Sequence, residues 1–267
     1  MQKIANEMNL VETTFVFPPN ESNADFSIRY FTPQNEVAVA SHPTIATIHA
    51  LIEEGKIKLS VNTHQVQVET GAGVLPVDIN VAEAGNYNIT MTMATPKFER
   101  APITYSELAV MLGTDSSNVD TNYHIQKMYT GIYWFVARLT SLAAIRNLRP
   151  DMAAIAEISR REKVSGIQVF TTETEDPQCN FHVRTFLPNE GINEDPVCGT
   201  GNSCIGAFIV ENEIVKTNGQ LTFTSEQGIE LGRPGRVKIK VQGMPHAVNK
   251  IQISGTTVTV LTGEIKF

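Results

Sequence analysis

The chain contains itself twice. Residues 26–33 read Phe-Ser-Ile-Arg-Tyr-Phe-Thr-Pro, and residues 181–188 read Phe-His-Val-Arg-Thr-Phe-Leu-Pro, with four of eight positions identical and Arg29 and Arg184 set 155 residues apart. A repeat constrains architecture strongly, because one supersecondary plan must be built twice. Each copy alternates with the period of two of a strand and ends at a proline, which cannot donate to a ladder. A cluster of small residues follows each. In the first copy Ala40-Ser41 leads through His42-Pro43-Thr44 into the apolar run Ile45 to Ile52. In the second, Asn193-Glu194-Asp195-Pro196 and Cys198-Gly199-Thr200-Gly201 lead into the run Ile205 to Val210. Both runs predict helices. Ile48, Leu51 and Ile52 share one face by i, i+3, i+4 spacing, and Pro43 suits a first helical turn, whose N–H needs no partner. Gly73 and Gly228 restore the offset of 155.

Upstream of its Phe181 strand the second copy reads as a strand (Ile132 to Arg138), a helix after Pro150-Asp151 (Met152 to Arg161) and a strand (Gly166 to Thr171). The first copy has the helix (Gln2 to Met8) and the following strand (Thr13 to Phe17), with nothing before them. An N-terminal strand missing by truncation or by a misassigned start is therefore expected. The predicted fold class is α+β: two pseudo-symmetric halves, each a mostly antiparallel sheet wrapped around a central helix, with both helix starts opening on a shared cleft. The first half is expected to span 1–96, ending near Ala94-Thr95-Pro96, and the second 97–256. A last strand within 257–267, centred on Thr257 to Leu261, is expected to return to the first half.

With 267 residues, 42% hydrophobic and 18% charged, the composition is that of a soluble globular protein rather than a disordered one. The formal net charge of −7 and the lack of a basic run argue against nucleic acid or an anionic membrane surface as partner. No apolar stretch approaches the roughly 18 residues of a membrane span, and the N-terminus lacks a signal-peptide core. Cys179, Cys198 and Cys204 are an odd number without zinc-site spacing, so no metal is expected and a reducing cytoplasm fits best. Cys179 and Cys204 read as structural.

The turn Cys198-Gly199-Thr200-Gly201-Asn202 at a helix start would let backbone N–H groups and the positive helix end converge on a carboxylate or phosphate, with the turn at Ser41-His42 opposite it. Packing around a buried helix accounts for the same glycines equally well. Asp195 before Pro196 fits a turn or cap, and His42 fits a satisfied structural histidine as well as an acid/base. Cys198 at a helix start fits either an activated or a buried thiol. Glu12, between Leu10 and the apolar strand of Phe15 and Phe17, becomes a proton-transfer group only if kept from water.

Three segments, Asn9-Leu10-Val11-Glu12-Thr13-Thr14-Phe15, Arg29-Tyr30-Phe31-Thr32-Pro33 and Glu194-Asp195-Pro196-Val197-Cys198-Gly199, resemble the phenazine-biosynthesis PhzF-like isomerases. Glu36 with His42-Pro43, and Gly228 with Gly232-Arg233-Pro234, extend the likeness over nearly the whole chain. The resemblance implies the diaminopimelate-epimerase-like fold, with members beginning about thirty residues earlier. It implies a homodimer without metal or organic cofactor, acting on a small carboxylated, cyclic metabolite, as the family's isomerase acts on a dihydro-hydroxy-anthranilate. Carried over by motif, Glu12 moves the proton and His42 and Asp195 assist; from the helix-start reading, backbone amides of Gly199, Thr200, Gly201 and Asn202, with Ser41 beside them, are expected to hold the substrate carboxylate. Ser41 stands where the family usually has glycine. The Cys198 turn is similar to that of diaminopimelate epimerase, so a second expectation is a racemase, epimerase or dehydratase using Ser41 and Cys198 as opposed bases. A third is a decayed fold that only binds a small molecule or a protein.

Overall fold

The duplicated plan is visible strand by strand in the computed structural model, which describes residues 1–59, 63–81 and 87–265. Residues 1–96 contribute helix α1 (Gln2–Met8), strands β1 (Thr13–Phe17), β2 (Phe26–Phe31) and β3 (Glu36–Val37), helix α2 (Ser41–Glu53), and strands β4 (Thr63–Thr70), β5 (Gly73–Val81) and β6 (Tyr87–Thr92). Then come β7 (Lys97–Arg100), α3 (Tyr105–Leu112), β8 (Gln126–Tyr129), β9 (Tyr133–Arg138), α4 (Leu142–Arg146), α5 (Met152–Glu162) and β10 (Gly166–Thr171). The chain closes with β11 (Phe181–Phe186), α6 (Gly199–Glu211), β12 (Gln220–Gln227), β13 (Gly235–Met244) and β14 (Ala247–Gly255).

One sheet runs β1-β2-β4-β5-β6-β14-β13-β12-β11-β10-β9-β8-β7, with β3 paired to β2. It is mostly antiparallel; of its three parallel pairs among the described residues, β2 with β4 and β11 with β12 repeat with the duplication, and β9 with β10 is the third. α2 packs on β1, β6 and β14, and α6 on β9, β10, β13 and β14, so β14 serves both helices. α6 is buried from Gly199 to Val210, as a helix apolar all round must be. α2 buries Ile45, Ile48 and Ile52 but leaves Ala46 and Ala50 exposed, beside the edge strand β1. Helices α3, α4 and α5 cover the outer face of β9–β11 with Leu108, Leu112, Ile145, Ile155 and Ile158.

Side chains repeat as well. Arg29 forks onto Glu36 at 2.7 and 2.6 Å and lies over the Phe31 ring; Arg184 forks onto Glu194 at 2.8 and 2.7 Å and lies over Phe186. The halves meet at equivalent positions. Asn35 donates to the carbonyl of Asn189 at 2.7 Å and touches Glu190, 155 residues on. Ser41 and Gly199, the first residues of the 13-residue helices α2 and α6, press on each other.

The expected strand at Thr257–Leu261 is not formed. Residues 256–265 carry no strand, and Val258, Val260 and Leu261 are 81%, 90% and 87% exposed. The seam between the halves is β14, whose two edges are already taken by β6 and β13, so the tail finds no ladder there. Residues 266 and 267 lie outside the described residues.

Candidate active site

α1 ends at Asn9, which adopts the left-handed conformation (φ 50°) that asparagine tolerates at a helix end. The chain then turns through Leu10 and Val11, and Glu12 is delivered just before β1. Opposite it α2 begins at Ala40, its cap residue, with Ser41, His42 and Pro43 as its first three residues. Pro43 therefore sits where a missing N–H leaves no intrahelical bond unmade.

Nε2 of His42 lies 2.9 Å from Oε2 of Glu12, and the Glu12 side chain is only 11% exposed against 40% for His42. That oxygen is shut off from solvent and, among the described residues, receives no well-aligned hydrogen bond, so its tie to His42 is the ion pair. Burial opposes a charged imidazole at His42. The charge and direct contact of Glu12, with the charge of Asp195, outweigh it and lift His42 to about 9. Asp195 is 4% exposed, with its Oδ1 accepting from the Val197 N–H at 3.0 Å. Burial raises its carboxyl and Glu12 adds to the rise, while the His42 charge pulls back. Glu190, beside Asn35, is raised by burial and, further, by Glu12.

Leu10, Val11, Glu12, His42, Asp195, Pro196, Val197, Arg233 and Pro234 line one cavity of about 630 Å³, within the range of small-molecule sites. A second of about 670 Å³ shares Leu10, Glu12 and His42 and runs between β1 and the open face of α2. The structure thus brings together Glu12, His42 and Asp195 from both halves.

It does not bring the expected anion-binding residues to that cavity. Ser41 is 1% exposed, and a Cβ on Gly199 would come within 2.5 Å of its hydroxyl. A Cβ on Gly201 would meet the Gln168 amide at 1.6 Å. These residues are small because the two helix starts and Gln168 crowd them. Thr200 is 4% exposed. Asn202 is fully buried and spent on structure: its amide donates to the Cys198 carbonyl and to Gln227, both at 2.8 Å, and Ser225 donates to it at 2.5 Å.

Ser41 and Cys198 are not at equivalent positions of the two helices. Cys198 caps α6 as Ala40 caps α2, so the counterpart of the thiol is a methyl group and not the Ser41 hydroxyl. Burial, reinforced by the Asp195 charge, pushes the Cys198 thiol well above its ordinary value. Cys198→Ser is expected to leave turnover largely intact and to cost no more than about 1 kcal/mol in thermal unfolding; an inactive, folded variant would restore the thiol to the mechanism.

Sequence reading missed Gln227. Its carbonyl oxygen accepts from the Cys198 N–H at 3.3 Å and from Asn202, and its amide donates to the Asp195 carbonyl at 2.7 Å and to Thr185 at 3.0 Å. It ties the Asp195 turn to the start of α6. Its only signal was its place before Gly228. Arg233 was seen as part of a motif, without a role.

Among the described residues the one grouping with metal-ligand chemistry is Asp176, Cys179 and Glu226. Its oxygens already serve the protein: Glu226 accepts from the N–H groups of Glu175 and Asp176 at 2.7 and 2.8 Å and contacts His182, and Asp176 pairs with Arg236.

The phenazine biosynthesis-like protein family matches residues 1–263. An uncharacterized isomerase of Clostridium acetobutylicum is 34% identical over 99% of this chain and 87% of that protein. The crystal structure of a PhzF-family phenazine biosynthesis protein of Bacillus anthracis superposes with a TM-score of 0.82 at 29% identity, over 96% of this chain and 85% of that one. A hydroxyproline epimerase of Agrobacterium vitis shares the fold (TM-score 0.66, 19% identity, 92% of this chain and 71% of that one). The expected diaminopimelate-epimerase-like fold is the fold observed.

Proposed function

The chain belongs to the phenazine biosynthesis-like protein family and is an isomerase, and from that premise we propose that it moves a proton between carbons of a small, carboxylated, ring-bearing metabolite with Glu12 as the acid/base. The observation that carries the reading is the contact of a shielded Glu12 carboxylate with His42 beside the buried Asp195. A carboxylate that takes a proton from carbon and returns it elsewhere needs an open oxygen, little water and a neighbour that steadies each charge state. The Glu12 carboxylate supplies the acceptor, and the His42 cation at its Oε2 balances it before the proton arrives. As Glu12 becomes neutral, the same imidazolium can stabilise negative charge growing on the substrate. Asp195, biased by burial toward its protonated form, supplies a donor to a substrate oxygen or nitrogen. The reading includes a small-molecule substrate without metal or organic cofactor, and a homodimer in the cytoplasm. No described helix is long and apolar enough to cross a membrane.

The test is deuterium incorporation from heavy water into ring carboxylates incubated with the protein, followed by proton NMR. Incorporation at two carbons of one compound supports the reading, and none across a broad panel opposes it.

The pH dependence follows from His42. Its folded value of about 9 lies above the ordinary 6.5, so the stabilisation it contributes is complete below 6.5 and lost as the pH rises through about 9. Turnover should fall on an alkaline limb centred near pH 9. A rate that falls with a midpoint near 6.5 would show that His42 does not carry its charge in the working site.

A further inference from the structure

Gly228-Ile229-Glu230-Leu231-Gly232-Arg233-Pro234 joins β12 to β13 and forms a wall of the Glu12 cavity that comes from neither helix start. A single 3₁₀ turn over Ile229–Leu231 is bracketed by Gly228 (φ 81°) and Gly232 (φ 65°), both in the left-handed region that favours glycine. The Arg233 N–H closes the loop on the Gly228 carbonyl at 2.9 Å.

The loop is pressed onto the turn that carries Asp195. A Cβ on Gly228 would lie 2.6 Å from the Pro196 carbonyl oxygen, and one on Gly235 would lie 2.3 Å from a Val197 methyl. From below it is pinned by His182, which has no exposed surface. Its Nδ1 is 2.7 Å from Glu226 and its Nε2 is 2.9 Å from Glu230 in the 3₁₀ turn. Burial works against a charge on His182, but its contacts with Glu230 and Glu226 raise it, and Glu230 is lowered in return despite its own burial. The clamp is thus a buried imidazole bridging two carboxylates, and it fixes the 3₁₀ turn that precedes Arg233.

What it holds is Arg233. Among the described residues no carboxylate pairs with this guanidinium, whereas Arg29, Arg138, Arg184 and Arg236 each have one. It lines the cavity and is close enough to His42 for its charge to act on the imidazole. Of the other ionisable groups on that wall, Glu12 and His42 are already paired with each other and burial biases Asp195 toward its neutral form, which leaves Arg233 as the cation without a carboxylate partner there.

We propose that Arg233 is the residue that binds the substrate's carboxylate, forking onto it while the ring lies toward Glu12, so that the site selects small monocarboxylates over their neutral amides. The inference rests on the reading of Glu12, His42 and Asp195 as the reacting cavity. It replaces the helix-start amides, which the fold buries, with a planar five-donor group suited to a carboxylate.

The experiment is calorimetric titration of the full chain with benzoate and cyclohex-1-ene-carboxylate, each against its carboxamide, in wild type, Arg233→Gln, Arg233→Lys and Glu12→Gln. Wild type is expected to bind at least one acid roughly 10–100-fold more tightly than its amide. Arg233→Gln should erase that preference, Arg233→Lys should keep part of it, and Glu12→Gln should keep or increase it. An Arg233→Gln variant that retains the preference overturns the proposal, as does a wild type that prefers neither acid. Binding of unreactive acids is read without turnover, so failure of the Glu12 proton shuttle would register separately, as loss of exchange in the deuterium experiment with acid binding intact.

Discussion

Replacing Glu12 by glutamine should lower deuterium exchange into a bound substrate by roughly 10²–10⁴-fold, the usual contribution of a positioned acid/base. Glutamine keeps the shape of the side chain and one oxygen acceptor, so the cavity walls and the ligand's other contacts survive. What is lost is the one group able to hold the transferred proton. Asp195 cannot substitute from its place, because its Oδ1 is committed to the Val197 N–H and its backbone carbonyl is tied toward the start of α6 by Gln227. The variant should therefore bind substrate with little change and fail only in the chemical step. Exchange at the wild-type rate in a folded Glu12→Gln protein would remove the residue from the mechanism and leave the family's fold without its expected shuttle.

The second large effect is on stability, and the duplication provides its own control. The Arg184 and Glu194 side chains are 7% and 9% exposed, and Arg184 also donates to the Ile145 carbonyl at 3.1 Å. Arg29 and Glu36, the same pair in the first half, are each 43% exposed. Arg184→Met strands a carboxylate in a site with little water and should destabilise by about 3–5 kcal/mol. Arg29→Met removes a screened surface pair and should lower stability far less. Urea denaturation of both variants checks the contrast. Equal losses would mean that burial does not separate the two copies, and that the fork has one structural purpose in both halves.

Much of this architecture was legible because the duplication repeats local signals. Alternation over Phe26 to Phe31 and Phe181 to Phe186, and the spacing of Ile48 and Ile52, are properties of neighbouring residues. The helix α3 carries local signals too: Thr104 and Glu107 form a reciprocal capping box and Gly113 ends the helix in the left-handed region. The place of β14 between β6 and β13 was not legible in the same way. It pairs Ile253 with Met91, far apart in the chain, and nothing local specifies such a partner. The tail illustrates the same limit, since Val258 and Val260 alternate like a strand but meet no open edge.

The site divides along the same line. Glu12, His42 and Asp195 were visible through motifs, and their meeting was implied by two halves facing each other. The turn from Gly199 to Asn202 is ambiguous in the sequence because glycines that cradle an anion and glycines that admit a neighbour look alike in one dimension. Only the approach of Ser41 and Gln168 tells them apart. Gln227 at the end of β12 and Arg233 in the β12–β13 connection both reach the Asp195 turn, more than thirty residues away in the chain.

One substrate-independent titration goes to the centre of the account. Proton–nitrogen NMR of the His42 imidazole across pH 5–11, in wild type and in Glu12→Gln, reads whether the histidine is held charged by that carboxylate. The expected midpoint is about 9 in wild type. In the variant it should fall toward or below 6.5, because burial then acts with only Asp195 to oppose it. A wild-type midpoint near 6.5, or one that stays near 9 when Glu12 is gone, would contradict the pairing on which the proton transfer depends.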